Sequence, residues 1–545
     1  MNSNYKTFIM KFLRLFVFII FSFSILSTGF GQDGIVPEQY NRKHREGIRL
    51  IAENENDEAI DLANSFLSEN LRDIESCYVL AVAHARKGEI NKAMNYVDKS
   101  LQLGIPFSRY LAGPRDLLQL LVNSEPFRQR LQNNNEPPLL HGPMLSNVTD
   151  SRAEFWVRTF REQSVSVIVK KFGEEKTIKS ESFETKASRD YTASILVTGL
   201  EANSEYHYSI VIGDKKIGND ATDKRWIFRT YPQIGEPTKV SVGFGGGAGY
   251  TPFYDHMWNT LSARWLPAFL FMGDNVYIDH PKYPSVQDYC YYRRQSTPEY
   301  KNFISRTSIY AIWDDHDFAD NDSWGTPAKY HPEWKIPVWE TYKDNWNNPY
   351  YGGGKENPGV WTDFSIGDID FFMLDGRYYR DSPPENTTML GEVQKEWLFR
   401  KLKQSGATFK VIASPVPWAY GTKPGSDDPW QGFKDEREEI LSFIEENEIE
   451  GVILISADRH RSDAWKITRE DGYDFYEFES SKLTNVHTHR KFSEAIFSYN
   501  DKCSFGLLKF NTEKRDPEVT YQVINIDNEI MNEITIKQSQ LEFDK

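Results

Sequence analysis

In the second half of the chain, acidic residues stand at the ends of apolar runs. Asp274 closes "AFLFMGD", Asp314 and Asp315 close "SIYAIWDD", Asp375 closes "FFMLD" and Asp458 closes "VILISAD". A single aspartate there ordinarily caps the helix that follows, accepting from its first backbone N–H groups. Four such ends in one region ask for more. Ligands of α/β sheets bind outside the carboxyl ends of the strands, and carboxylates gathered at one edge repel each other unless something positive holds them. Two ends also bring an imidazole, His316 in "DDHD" and His460 in "ADRH", and Tyr277 follows Asp274 by three residues. Carboxylate, imidazole and phenol together suit hard and borderline divalent or trivalent cations. The chemistry of such a site is hydrolytic. Two cations roughly 3.5–4 Å apart clamp the attacking and leaving oxygens of a displacement and supply hydroxide near neutral pH. Arg377, in "LDGRYYR", offers a two-pronged fork for an oxyanion; its bland alternative is a structural ion pair with a nearby acid such as Asp381.

The elements that must carry these residues read as an α/β core from about residue 239 to the C-terminus. "KVSVGF", "AFLFMGD", "SIYAIWDD", "DIDFFMLD", "FKVIASP" and "GVILISAD" are near-continuous apolar strands, as in sheets covered on both faces. "FYDHMWNTLSARW", "GEVQKEWLFRKLKQ" and "DEREEILSFIEEN" are the helices between them, and "DFYEFES", "FGLLKFN" and "EVTYQVINI" suggest a second sheet. Upstream, residues 139–231 alternate polar and apolar in short runs such as "RAEFWVRT" and "EYHYSIVIG", which predicts a fibronectin-like β-sandwich with Tyr206 bracing a strand crossover. This module contains no cluster of ligands or nucleophiles. Residues 38–132 repeat at helical spacing. "DEAIDLANSFL" and "NKAMNYVDKSL" align at a period of 34, similar to a tetratricopeptide repeat. With about two units, this segment reads as a packed support, the alternative being a groove for a protein partner.

The N-terminus reads as a leader. Lys6, Lys11 and Arg14 precede the apolar Leu15–Leu26, and small residues follow before Gln32. A membrane span needs about 20 apolar residues, so the expectation is a signal peptide over 1–31, a periplasmic or extracellular mature protein, and no transmembrane span. A net charge of -15 argues against a nucleic-acid-binding scaffold. Three cysteines, Cys77, Cys290 and Cys503, suggest no disulfide framework.

"GDNVYID", "WDDHDFADND", "FFMLDGRYYRD" and "SADRH", in that order over most of residues 239–500, resemble the motifs of the PhoD-like family of alkaline phosphatases and phosphodiesterases. That resemblance implies an α/β metallophosphatase-type sandwich core behind a β-sandwich domain, and a site that uses iron and calcium on phosphate esters. Carried over by motif, Asp274 would bridge the metals and Tyr277 would be a phenolate ligand to iron. Asp315, Asn321, Asp458 and His460 would be further ligands, His316 would face the phosphate, and Arg377 and Arg380 would contact substrate oxyanions.

One stretch departs from the pattern. In "GFGGGAGY", Gly247 stands where the family places a metal-binding cysteine. The loop reads as structural punctuation, as a backbone N–H cradle for an oxyanion, or as the mark of a degenerate site; Tyr250, His256 or His280 would be substitute ligands. The sequence therefore points to an exported metal-dependent phosphoesterase cleaving mono- or diesters. The alternatives are a non-catalytic binding protein on a degenerate phosphatase scaffold, or a hydrolase of another ester class.

Overall fold

The structure, a computed structural model, describes residues 37–134, 137–218, 224–382, 387–470 and 472–543. The leader expected over 1–31 lies outside them. The described chain begins with helices, Pro37–Ala52, Asn56–Glu69, Ile74–Arg86 and Ile90–Gln102, followed by three shorter ones that end at Asn134. Both segments that align at a period of 34 are helical, and their shared small residues, Ala59 and Ala93, are fully buried. A side chain no larger than a methyl lets neighbouring helices approach closely.

A β-sandwich follows. One sheet holds Leu139–Ser146, Arg152–Thr159 and Thr192–Thr198; the other is built on Ser164–Lys171 and Glu205–Ile212. Buried residues alternate along these strands as a half-covered sheet requires, Val165, Val167 and Val169 facing Phe155 and Ile195 in the core. The Tyr206 hydroxyl accepts a hydrogen bond from the Glu201 N–H at 2.8 Å, the brace that the sequence suggests.

The core domain is two sheets face to face with helices outside. The first runs, edge to edge, Ser308–Ile312, Ala268–Met272, Lys239–Gly245, Ser504–Asn511, Glu518–Asn525 and Ile530–Lys537. Its first three strands are parallel and the rest antiparallel. The second runs Thr362–Ile366, Ile369–Met373, Phe409–Ala413, Val452–Ser456, Phe475–Ser480, Ser462–Ile467 and Phe497–Tyr499, with a parallel centre. Aromatic side chains fill the space between the sheets: Phe371 and Phe409 meet Phe510, and Phe478 stacks on Tyr521. The parallel strands of both sheets end on one side, so the loops after Gly245, Met272, Ile312, Ser456 and Ser480 converge there. The three cysteines are buried and unbridged. Among the described residues, no helix is long and apolar enough to cross a membrane.

Candidate metal centre

The loop after Met272 turns sharply. Gly273 (φ 102°) is followed by left-handed backbone at Asp274, Tyr277 and Asp279, with φ of 55°, 53° and 56°. Such conformations are strained in residues other than glycine and persist only where surrounding contacts impose them. Here the imposing groups are the His316 carbonyl, which accepts from the Ile278 N–H at 2.7 Å and the Asp279 N–H at 3.3 Å, and Asp317. Its carboxylate accepts from the backbone N–H of Asn275 (2.8 Å) and Val276 (3.0 Å) and from the Asn275 side chain. Asp317 also caps its own short helix reciprocally with Asp314. Two of the acids in "DDHD" thus hold architecture, leaving Asp315 and His316 to face inward.

These loops enclose a cavity of about 380 Å³. Asp274, Tyr277, Asp315, His316, Asn321, Asp458 and His460 all line it. One oxygen of Asp274, one of Asp315 and one nitrogen of His316 lie within 4.8 Å of one another. The Tyr277 hydroxyl is 3.1 Å from His460 Nε2 and accepts from Asn485 Nδ2 at 2.5 Å, while its ring stacks on His316 with centroids 4.7 Å apart. His460 Nε2 is 3.9 Å from Asp274 Oδ2. Asp458 is differently placed: its Oδ2 lies 3.5 Å from Arg459 and 3.8 Å from Lys423, so protein cations already face it.

The electrostatics show a site short of positive charge. Burial, with Asp315 and Asp314 alongside, pushes the Asp274 carboxyl well above the ordinary aspartate value despite the opposing charge of His316. Burial works against the charge on His316, but Asp315, Asp274 and Asp279 outweigh it and raise the imidazole well above the usual histidine range. Burial, followed by the charge on Asp274, raises the Tyr277 phenol. Asp274 Oδ1, Asp314 Oδ2 and His460 Nδ1 are buried with no hydrogen-bond partner. Buried polar atoms rarely stay unsatisfied. An unpartnered carboxylate oxygen beside imidazole and phenol is a donor set that a cation fits.

Two expected residues are not in the cavity. Arg377 is fully buried, its Nε donating to Asp314 Oδ1 at 2.5 Å and its Nη1 to Asp428 Oδ1 at 2.7 Å. Arg380 is turned toward the same acid, donating to the Asp428 carbonyl at 2.8 Å. The expected oxyanion contacts give way to a buried ion-pair network, because the Asp428 carboxylate supplies the anionic oxygens that a substrate phosphate would have offered. Asp375 is likewise structural, accepting from Trp313 Nε1, Val360 N, Arg377 N and Tyr378 N. Besides His316, the positive side chains lining the cavity are Arg42, Lys423 and Arg459.

The glycine loop is not an oxyanion cradle over Gly246–Ala248. Gly246 N donates to Ser480 O (3.0 Å), Gly247 N to Gly273 O (3.2 Å) and Ala248 N to Asp274 O (2.8 Å). Its carbonyls receive Leu483 N and Thr484 N in return. The loop stitches the Asp274 turn to the segment after Ser480. Of the substitute ligands considered, Tyr250 hydrogen-bonds Glu75 at 3.4 Å, His256 Nδ1 pairs with the Phe253 carbonyl and His280 faces Glu46. None of the three lines the cavity; His487 and His489 do.

The helical segment also reaches the site. Arg45, only 4 % exposed, donates to the Tyr277 carbonyl and to Asp279 Oδ2. The other oxygen of Asp279 holds His316 Nδ1. Sequence reasoning missed Arg42, Arg45, Lys423, Arg459, Asn485, His487 and His489. The adjacency of Arg459 to His460 and the His-x-His spacing of 487 and 489 are the signals available for three of them.

The sequence model of the PhoD-like phosphatase family matches residues 242–524. The chain belongs to the PhoD-like phosphatase family. A separate model, a domain of unknown function (DUF7800), matches residues 136–229, the β-sandwich. The chain is 23% identical over 334 residues to alkaline phosphatase D of Bacillus subtilis (strain 168), an alignment covering 51% of this chain and 54% of that protein. It therefore spans about half the length of that curated relative. A solved structure of PhoD superposes with a TM-score of 0.63 at 17% identity, covering 75% of this chain and 92% of the other. A purple acid phosphatase from yellow lupin (Lupinus luteus) seeds superposes at 0.51 with 12% identity, covering 73% and 75%. Both place the core in the metallophosphatase fold.

Proposed function

We propose that this protein is an exported, metal-dependent phosphoesterase. The observation that carries the reading is the convergence of Asp274, Tyr277, Asp315, His316 and His460 on one cavity, with buried acceptor atoms lacking donors. Catalysis belongs to residues 239–545, with 139–231 accessory and 38–132 supporting the site from outside; a protein partner on the helical face is not required for it. Asp274, Tyr277, Asp315, Asn321 and His460, with Asp458 at the rim, would hold the cations, which the family resemblance implies are calcium and iron. When bound, these would supply hydroxide and neutralise phosphate charge. The chain does the rest. Arg459, Lys423 and Arg42 orient a phosphate ester by its oxygens. His316, kept protonated and aligned by Asp279, donates a proton to the leaving alcohol oxygen as the phosphorus–oxygen bond breaks. Export rests on the leader-like N-terminus, and N-terminal sequencing of mature protein should begin near Gln32.

The test is turnover of nitrophenyl phosphate and bis-nitrophenyl phosphate by metal-loaded protein, together with metal content. Asp274→Asn keeps the shape and removes a charge. It should lose at least one metal per chain and slow hydrolysis by several powers of ten. Full metal content at near-normal rate would end the assignment. A wild-type protein that binds metal but cleaves neither ester would indicate a binding protein or another ester class.

A further inference from the structure

We propose that His487 and His489 join His460 as a nitrogen-rich metal position beside the carboxylates, suited to a borderline divalent cation such as zinc. The inference rests on the cavity being a metal site and deepens that reading. One nitrogen from each histidine lies within 4.8 Å of the others. The ring centroids are 5.2 Å (460 to 487), 5.4 Å (460 to 489) and 4.7 Å (487 to 489) apart. All three line the cavity that holds Asp274 and Asp315. His460 is only 8 % exposed, and its Nδ1 is buried without a hydrogen-bond partner.

The backbone explains how this segment reaches the site. Leu483 N donates to Gly246 O at 3.1 Å and Thr484 N to Gly247 O at 3.2 Å, while Thr484 Oγ1 reaches Gly249 O at 2.6 Å. The His487 N–H is held by Asn485 Oδ1 at 3.0 Å. This close approach needs glycine: a Cβ at 246 would stand 2.8 Å from the Ala457 Cβ, and one at 247 would stand 2.3 Å from the Ser481 carbonyl oxygen. The loop that offers no donor of its own thus draws two imidazoles toward the cavity.

Imidazole nitrogen suits zinc, copper, iron and nickel, and three histidines with an open position make a common zinc site. Zn–N bonds of about 2.0–2.1 Å place tetrahedral donors roughly 3.3 Å apart, a closer approach than the rings now make. His487 is exposed and His489 half-buried, and rotation of these two side chains on binding would supply it.

The experiment uses the full chain, stripped of metal and titrated with zinc and, for its absorption bands, cobalt. Wild type should bind one equivalent more than His487→Ala/His489→Ala, whose residual affinity at that position should fall at least 100-fold. The single variants His487→Gln and His489→Gln, with unchanged thermal unfolding, guard against loss of fold and should each weaken that equivalent. A double variant that keeps wild-type stoichiometry, affinity and cobalt spectrum overturns the histidine position. If Asp274→Asn still loses metal and activity in that case, the phosphoesterase reading stands without it. If instead the double variant loses its equivalent and Asp274→Asn changes nothing, the histidine position stands and the carboxylate reading falls.

Discussion

Gly247 has φ of +67°, and a Cβ there would meet the Ser481 carbonyl oxygen at 2.3 Å and His460 Cδ2 at 3.5 Å. A side chain at this position is opposed twice: by the left-handed backbone, about 1–2 kcal/mol for an L-residue, and by overpacking, about 1–3 kcal/mol. Replacing it with cysteine would therefore not restore a thiolate ligand to a waiting space. Gly247→Ala should lower stability by about 2–5 kcal/mol, summing these two penalties, and loosen His460. Thermal unfolding and zinc retention would show it; an unchanged melting temperature would mean that the loop yields without strain. At this scale the sequence is informative about kind and silent about address. Strand-end acids and their histidines are readable because the strand pattern sends them all to one edge. Arg377 is not, because an arginine near an anion site looks the same whether its partner is a phosphate or Asp428, 51 residues further on. Only the fold brings that acid to it.

Elements buried on every side hide from periodicity. The helix Pro284–Gln295 buries Tyr289, Cys290, Tyr291, Tyr292, Arg293 and Arg294 in succession, so it shows no polar stripe, and sequence analysis does not find it. The amphipathic helix Glu392–Gln404 and the apolar strands are found for the opposite reason. The first helix, Pro37–Ala52, is legible as a helix, but nothing in its sequence tells that Arg45 lies against Asp279, 234 residues away. That contact changes what the helical segment is for. Asp279 is partly buried, and although desolvation works against its charge, His316 and Arg45 keep its carboxyl below the ordinary value. Arg45 therefore positions His316 through Asp279 without touching substrate. Removing such an outer partner typically costs 10- to 100-fold in activity or metal affinity. Arg45→Met should lower kcat by about that factor with little change in KM, and Arg45→Lys should recover part of it. Circular dichroism would establish that the helices remain. Wild-type kcat in Arg45→Met would return the segment to a purely supporting role.

The sandwich and core parts meet around a few buried polar groups. Arg158, in the sandwich, donates to His141 Nδ1 at 2.8 Å and, across the boundary, to Gln295 Oε1 at 2.5 Å and Asn345 Oδ1 at 2.9 Å. His141 Nε2 lies 3.1 Å from Ser296 Oγ in the core. Burial, then the positive charges of Arg158 and Lys301, depress the His141 pKa far below its ordinary value of 6.5. A histidine whose folded pKa is depressed takes a proton in the unfolded chain first. Its effect on stability is therefore absent above about pH 6.5, and below it folding weakens as pH falls, by up to about 1.4 kcal/mol per pH unit for one proton. His489, pushed down to about 3, acts in the same direction, so the joint's own share needs a variant to isolate it. His141→Gln can still bridge Arg158 and Ser296 but takes up no proton. It should start somewhat less stable at pH 7.5. Between pH 6.5 and 5.5 it should lose about 1 kcal/mol less than the wild type, the full slope being reached only further below the unfolded pKa. Urea midpoints at the three pH values measure this. Parallel curves would mean that the joint opens before His141 is protonated, so that the sandwich and core separate as independent units.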